Sequence, residues 1–221
     1  MGGKNNRGSG QTIKGAQLFA QRKLAIAIQK EFLAQEQKLL IEQREARQLI
    51  VMRAATKKRA LEFDFSTLRQ HPVLTIEKTD DNVQMIINLD FFQSESVPGV
   101  GALLEVLTDY AAIISNVTIL IKAPKYHFNV ATYNGRAKNV MKLISKLNTF
   151  DLVQVEVIAR LNNHGVFEQL KLAAGAYDLK IPNWTLAYEI RGRKGKWEVK
   201  VGSAYERRLH GVYLKEFLTK H

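Results

Sequence analysis

A chain of 221 residues that is 46% hydrophobic and 24% charged carries enough apolar material for one sizeable folded domain, which excludes global disorder. The absence of cysteine excludes disulfides, thiolate metal sites and a cysteine nucleophile. The net charge of +12 sits at the two ends: residues 1–60 carry 13 Lys/Arg against 4 Asp/Glu, residues 61–190 carry 11 against 14, and residues 191–221 carry 9 against 3.

Residues 1–10, rich in glycine and asparagine with two basic side chains, read as a disordered leader with nothing to bury. They lack the apolar stretch of a secretory signal, and no apolar run in the chain approaches the ~20 residues that span a bilayer. From residue 11 to about 62 there is no proline and a single glycine, Gly15, among strong helix formers. This segment predicts one long basic helix, capped at Thr12. Its apolar residues come in pairs one heptad apart: Leu18 and Phe19, Ala25 and Ile26, Phe32 and Leu33, Leu39 and Leu40. The second layer of a zipper is poor, because Gln21, Gln35 and Glu42 hold three of its places. The stripe therefore suits packing on its own domain or on a protein partner better than a self-sufficient dimer.

Beyond Lys57, Lys58 and Arg59 the alternation from Leu61 to Phe65 suggests a strand or extended linker. Val73 to Lys78, the turn Thr79-Asp80-Asp81-Asn82 and the run beginning at Val83 suggest a hairpin. Four β-branched runs then begin at Val83, Val117, Val153 and Trp184, separated by 34, 36 and 31 residues. Helical spacing fills residues 100–114, 133–147 and 165–179 between them, so the pattern is one of repeated βα units and parallel pairing. The runs alternate. One face takes residues such as Met85, Ile119, Val157 and Leu186, and the other mixes polar residues with Ile86, Leu120 and Ile158. A sheet covered on both faces would show continuous apolar strands.

The expected fold is thus α/β: repeated βα units forming a mainly parallel, one-sided sheet, as a two-layer sandwich or a short leucine-rich-repeat-like solenoid, preceded by the long helix. The βα rhythm resembles that of leucine-rich repeats, although the consensus L-x-x-L-x-L-x-x-N is missing and the period is longer. The domain spans residues 63–221 and closes with a glycine-spaced basic turn, a returning strand at residues 197–201 and an amphipathic helix over residues 204–218 capped by Ser203.

Chemistry-bearing motifs are sparse. Pro98-Gly99-Val100-Gly101 lacks the third glycine of a dinucleotide fingerprint, since position 104 is leucine, and reads as a loop opening a helix. The five histidines, at 71, 127, 164, 210 and 221, show no metal-binding spacing. Asp90, Lys125 and His127 fall near carboxyl ends of strands, where α/β sites gather, but suit turns and caps better. No catalytic, cofactor or metal residue is assigned, and no motif places the chain in a named family. Two binding surfaces are expected. The helix offers Leu18, Phe19, Ile26, Phe32, Leu33, Leu39 and Leu40 to a protein partner or a second copy. Lys57, Lys58 and Arg59, with Arg191, Arg193, Lys194, Lys196 and Trp197, suit nucleic-acid phosphates and a stacked base. The reading is a non-enzymatic interaction or scaffold protein, with an RNA- or DNA-binding component as the alternative. Its expected home is intracellular, in nucleus or cytoplasm.

Overall fold

The structure, a computed structural model, describes residues 9–90, 100–123, 130–162 and 166–218, without the side chains of residues 9–22, 24–27 and 130–132. The chain divides into two units, residues 1–53 and 54–221.

Helix α1, Ser9–Glu62, runs unbroken for 54 residues, as its lack of proline and its run of good helix formers dictate. It already includes Ser9 and Gly10, so Thr12 lies inside the helix and not at its cap. The helix extends to Glu62 and is followed by a 3-10 turn, Phe65–Thr67, where the alternation of residues 61–65 suggested a strand or extended linker. Short-range chemistry decided this. The Asp64 carboxylate accepts the Ser66 amide at 3.0 Å, which holds the chain in a turn.

The second unit is built on a six-stranded sheet in the order β1-β2-β3-β4-β5-β6. The strands are β1 (Leu74–Lys78), β2 (Val83–Asp90), β3 (Asn116–Lys122), β4 (Gln154–Leu161), β5 (Trp184–Ile190) and β6 (Lys196–Glu198). β2 to β5 pair in parallel; β1 and β6 close the two edges antiparallel. The turn between β1 and β2 closes through the Thr79 amide, which donates to the Asn82 carbonyl at 2.9 Å. Parallel neighbours need crossovers of one hand, and a strand order that never reverses sends successive crossovers to the same side of the sheet. The apolar residues agree. Met85, Ile87, Ile119, Val157 and Leu186 are buried in one cluster with Leu103 and Leu107 of α2 (Val100–Tyr110) and with Val140, Leu143 and Ile144 of α3 (Val130–Leu147). Each such side chain stabilises the fold by roughly 1.5–3 kcal/mol when fully buried. On the other face Thr118, Leu120, Ile158 and Ala187 are buried as well, in a narrow band.

The third crossover departs from the expected helix at residues 165–179. It is a short α4 (Val166–Leu170) running into a 3-10 segment, Lys171–Asp178. The cause is a run of small residues, Ala173, Ala174, Gly175 and Ala176, all buried. At Gly175 a Cβ would meet Val140 Cγ1 at 3.0 Å and Phe217 Cε1 at 3.2 Å. The backbone lies against α3 at this point because no side chain holds it off.

The end of α1 is tied into this unit by a polar and aromatic clasp. Ala60 is buried in the core. Phe65 stacks on Tyr110 with ring centroids 6.3 Å apart, and the Tyr110 hydroxyl donates to the Arg69 carbonyl at 3.0 Å. Arg69 donates through Nε and Nη2 to the two Asp109 oxygens at 2.6 and 2.9 Å, a bidentate pair. That pair holds the Asp109 carboxyl below its usual range. Beside it, His71 is half-buried and accepts the Val73 amide on Nδ1 at 3.3 Å. Burial pushes its pKa below the ordinary imidazole value.

At the far edge, β6 is shorter than the sequence suggested, and Ser203 caps α5 (Ala204–Val212) as expected, accepting the Glu206 amide at 3.1 Å. The expected single helix then widens to a π-helical turn, Tyr213–Leu218. There the Tyr213 hydroxyl donates to Asp178 at 2.9 Å. Among the described residues no helix is long and apolar enough to cross a membrane.

Two outcomes follow from this packing. Gly175→Val should lower the unfolding free energy by about 1–3 kcal/mol, seen as a fall in the urea midpoint, because the space it needs is occupied on two sides. For His71, folding favours the neutral ring. Its contribution is therefore intact above the ordinary pKa of 6.5 and is lost as pH falls below it. The urea midpoint should decline across that window in the native chain and decline less in His71→Gln.

Candidate functional site

Two surfaces carry unspent chemistry, one in each unit. On α1, the expected partner-binding residues Phe32, Leu33, Leu39 and Leu40 are exposed, while Leu18, Phe19 and Ile26 have side chains outside the described residues. The exposed set is larger than the stripe. It adds Ile28, Ile41, Leu49, Ile50, Val51 and Met52, and all ten lie between 40% and 68% exposed. Successive helical residues are turned by about 100°, so Leu39-Leu40-Ile41 covers more than half of the circumference and Leu49-Ile50-Val51-Met52 nearly all of it. These are apolar collars, which a search for one heptad stripe passes over. Unbroken apolar runs of three and four residues are the signal that finds them.

The second surface is an open cleft of about 760 Å³ at the carboxyl ends of the parallel strands. Its floor follows from the register. Asp90 pairs with Lys122, Lys122 with Arg160, Arg160 with Glu189, and Glu189 with Lys196, so one residue from each of β2 to β6 stands in a single row. Each of these positions points away from the helix layer, because alternate residues on every strand fill the core. The turn between β5 and β6 forms the wall, with Arg191, Gly192, Arg193 and Gly195. Gly192 and Gly195 have φ of +81° and +116°, backbone that glycine adopts without strain, and the Arg193 amide closes the turn on the Ile190 carbonyl at 3.0 Å.

The cleft is basic, with five cations (Lys122, Arg160, Arg191, Arg193 and Lys196) against the carboxylates of Asp90 and Glu189. Lys122 donates to Asp90 at 3.2 Å and Arg160 to Glu189 at 3.0 Å. Lys196 reaches across β5 to Glu156. By register this bridge passes over Ala187, which it helps to bury. Half-exposed pairs of this kind stabilise by about 1 kcal/mol or less each. The row also sets two cations, Lys122 and Arg160, directly opposite one another on neighbouring strands, an arrangement that repels. Among the described residues the guanidinium groups of Arg191 and Arg193 make no hydrogen bond or ion pair.

The basic residues singled out in the sequence separate in space. Arg191, Arg193 and Lys196 line the cleft; Lys194, in the same turn, is exposed but does not. Lys57, Lys58 and Arg59 are exposed at the end of α1 and take no part in it. Trp197 alternates with Lys196 on β6 and so faces the helix layer. It stacks on Tyr188 with centroids 5.7 Å apart at 22°. Burial raises the pKa of that tyrosine, with Tyr205 contributing. Trp197 is thus occupied by an aromatic cluster and offers no platform to the cleft. Of the trio Asp90, Lys125 and His127, Asp90 lies in the cleft; the other two, with Pro98, Gly99 and His164, lie outside the described residues. Gly101 stands in the first turn of α2. Lys122, Arg160 and Glu189 were not marked as site residues by the sequence, because each is a lone charge on the polar face of a different strand and only the register unites them.

No family model matches the chain, and no curated protein or solved structure matches it.

Proposed function

We propose that this is a non-enzymatic interaction protein that docks through α1 onto an apolar surface of a protein partner, a surface that a second copy of α1 also offers. The observation that carries the reading is the set of ten large apolar residues left 40% to 68% exposed between Ile28 and Met52. Contiguous apolar surface on a soluble chain marks an interaction site more often than chance exposure does. The collars at residues 39–41 and 49–52 argue against a two-stranded zipper, which buries one stripe, and for insertion among two or more helices, which buries a helix all round. Glutamine and glutamate at positions 35 and 42 weaken a single seam in the same direction. The α/β unit is then the scaffold that carries this helix, its successive strand–helix units forming a short stacked array.

The full chain should show reversible self-association in sedimentation velocity at tens of micromolar. The double substitution Leu39→Asp/Leu40→Asp should abolish it while leaving the melting of the α/β unit unchanged. Burying each leucine contributes on the order of 1.5–3 kcal/mol, so loss of two pairs corresponds to at least a hundredfold weaker association. A chain that stays monomeric at 50 µM, or a variant that associates as the native chain does, argues against α1 as a surface for a second copy.

A further inference from the structure

The cleft on the sheet is lined by residues of the α/β unit, and its chemistry is directed at an anion. Strand pairing places Lys122 and Arg160 side by side, and each has an acid only on its outer flank, at Asp90 and Glu189. Each is ion-paired with that outer acid, Lys122 with Asp90 at 3.2 Å and Arg160 with Glu189 at 3.0 Å, and the row holds no acid between the two cations. Like charges placed directly opposite destabilise a sheet, and an anion seated above both removes that repulsion. Over the same floor the β5–β6 turn brings Arg191 and Arg193, two guanidinium groups that make no ion pair among the described residues. Arginine presents donors in a planar fork matched to phosphate oxygens, and the lysine adds a point charge. The surroundings fit a ligand of limited size. A volume of about 760 Å³ lies within the range of small-molecule sites.

We infer that this cleft binds the phosphate group of a small phosphorylated ligand, of nucleotide size or below, between Lys122, Arg160, Arg191 and Arg193. A nucleic-acid strand carries the same chemistry but fits less well. Asp90 ends the row on one side, Glu189 interrupts it between Arg160 and Lys196, and Lys196 is itself paired with Glu156; Trp197 stacks on the opposite face of the sheet, and Lys57, Lys58 and Arg59 do not line the cleft.

Isothermal titration of the full chain at 50 mM salt, with pyrophosphate, ADP, adenosine and a twelve-nucleotide single-stranded RNA as separate probes, tests this. Pyrophosphate and ADP should bind and adenosine should not. The pair Arg191→Ala/Arg193→Ala should weaken ADP at least tenfold, as should Arg160→Ala. The arginine pair lies in an exposed turn, so circular dichroism and the urea midpoint of that variant should match those of the native chain. Failure of both phosphate probes to bind overturns the inference, as does unchanged affinity in both variants. RNA binding a hundredfold tighter than ADP, with a steep loss between 50 and 200 mM salt, assigns the surface to nucleic acid and overturns it equally.

Discussion

The unbroken parallel register from β2 to β5 is the constraint on which the α/β unit depends. A strand has a period of two, so a slip of one residue would carry Met85, Ile119 or Val157 from the helix-covered core to the opposite face. Burial of one face therefore locks the pairing of every strand with its neighbour. The polar face has no say in that choice, yet it inherits the alignment. Asp90, Lys122, Arg160 and Glu189 stand in one row because each has a core residue beside it in sequence, and Lys196 joins them through its pairing with Glu189. Hydrophobic packing on one side thus assembles a charged surface on the other.

That surface sets ion pairing against like-charge repulsion. The ion pairs to Asp90 and Glu189 offset part of the cost of the row, but half-exposed pairs contribute little, and the repulsion between Lys122 and Arg160 remains. A fold selected only for stability would place an acid or a neutral residue at one of the two positions. The hairpin turn adds two more arginines where glycines at 192 and 195 allow a tight, exposed loop.

Much of the architecture was legible in the sequence. The long helix followed from composition, the strands from alternation, the β1–β2 hairpin from its turn residues, and the α5 cap from Ser203. What escaped was decided by tertiary packing or local capping. The third crossover tightens into 3-10 turns because Gly175 and its alanine neighbours admit close approach to Val140 and Phe217. The segment after α1 turns because Asp64 bonds its own backbone, although its alternation imitates a strand. The candidate site was half legible. Arg191, Arg193 and Lys196 are adjacent in sequence and were marked together; Lys122 and Arg160 are 38 residues apart and meet only through pairing. Trp197 looked available because sequence proximity to lysine hides the alternation that turns it onto Tyr188.

The two surfaces obey different physics. The cleft is rigidly built into the sheet. The exposed part of α1 has apolar side chains without burial, and isolated helices owe little of their stability to propensity alone. Hydrogen exchange of the full chain at about 1 µM and about 50 µM separates these contributions most directly. The amides of β3, β4 and β5 should be the slowest at both concentrations, whereas those of residues 28–52 should exchange quickly at the lower one and slow markedly at the higher. Protection of residues 28–52 that is as strong as that of the strands at 1 µM, or that does not change with concentration, would contradict the account.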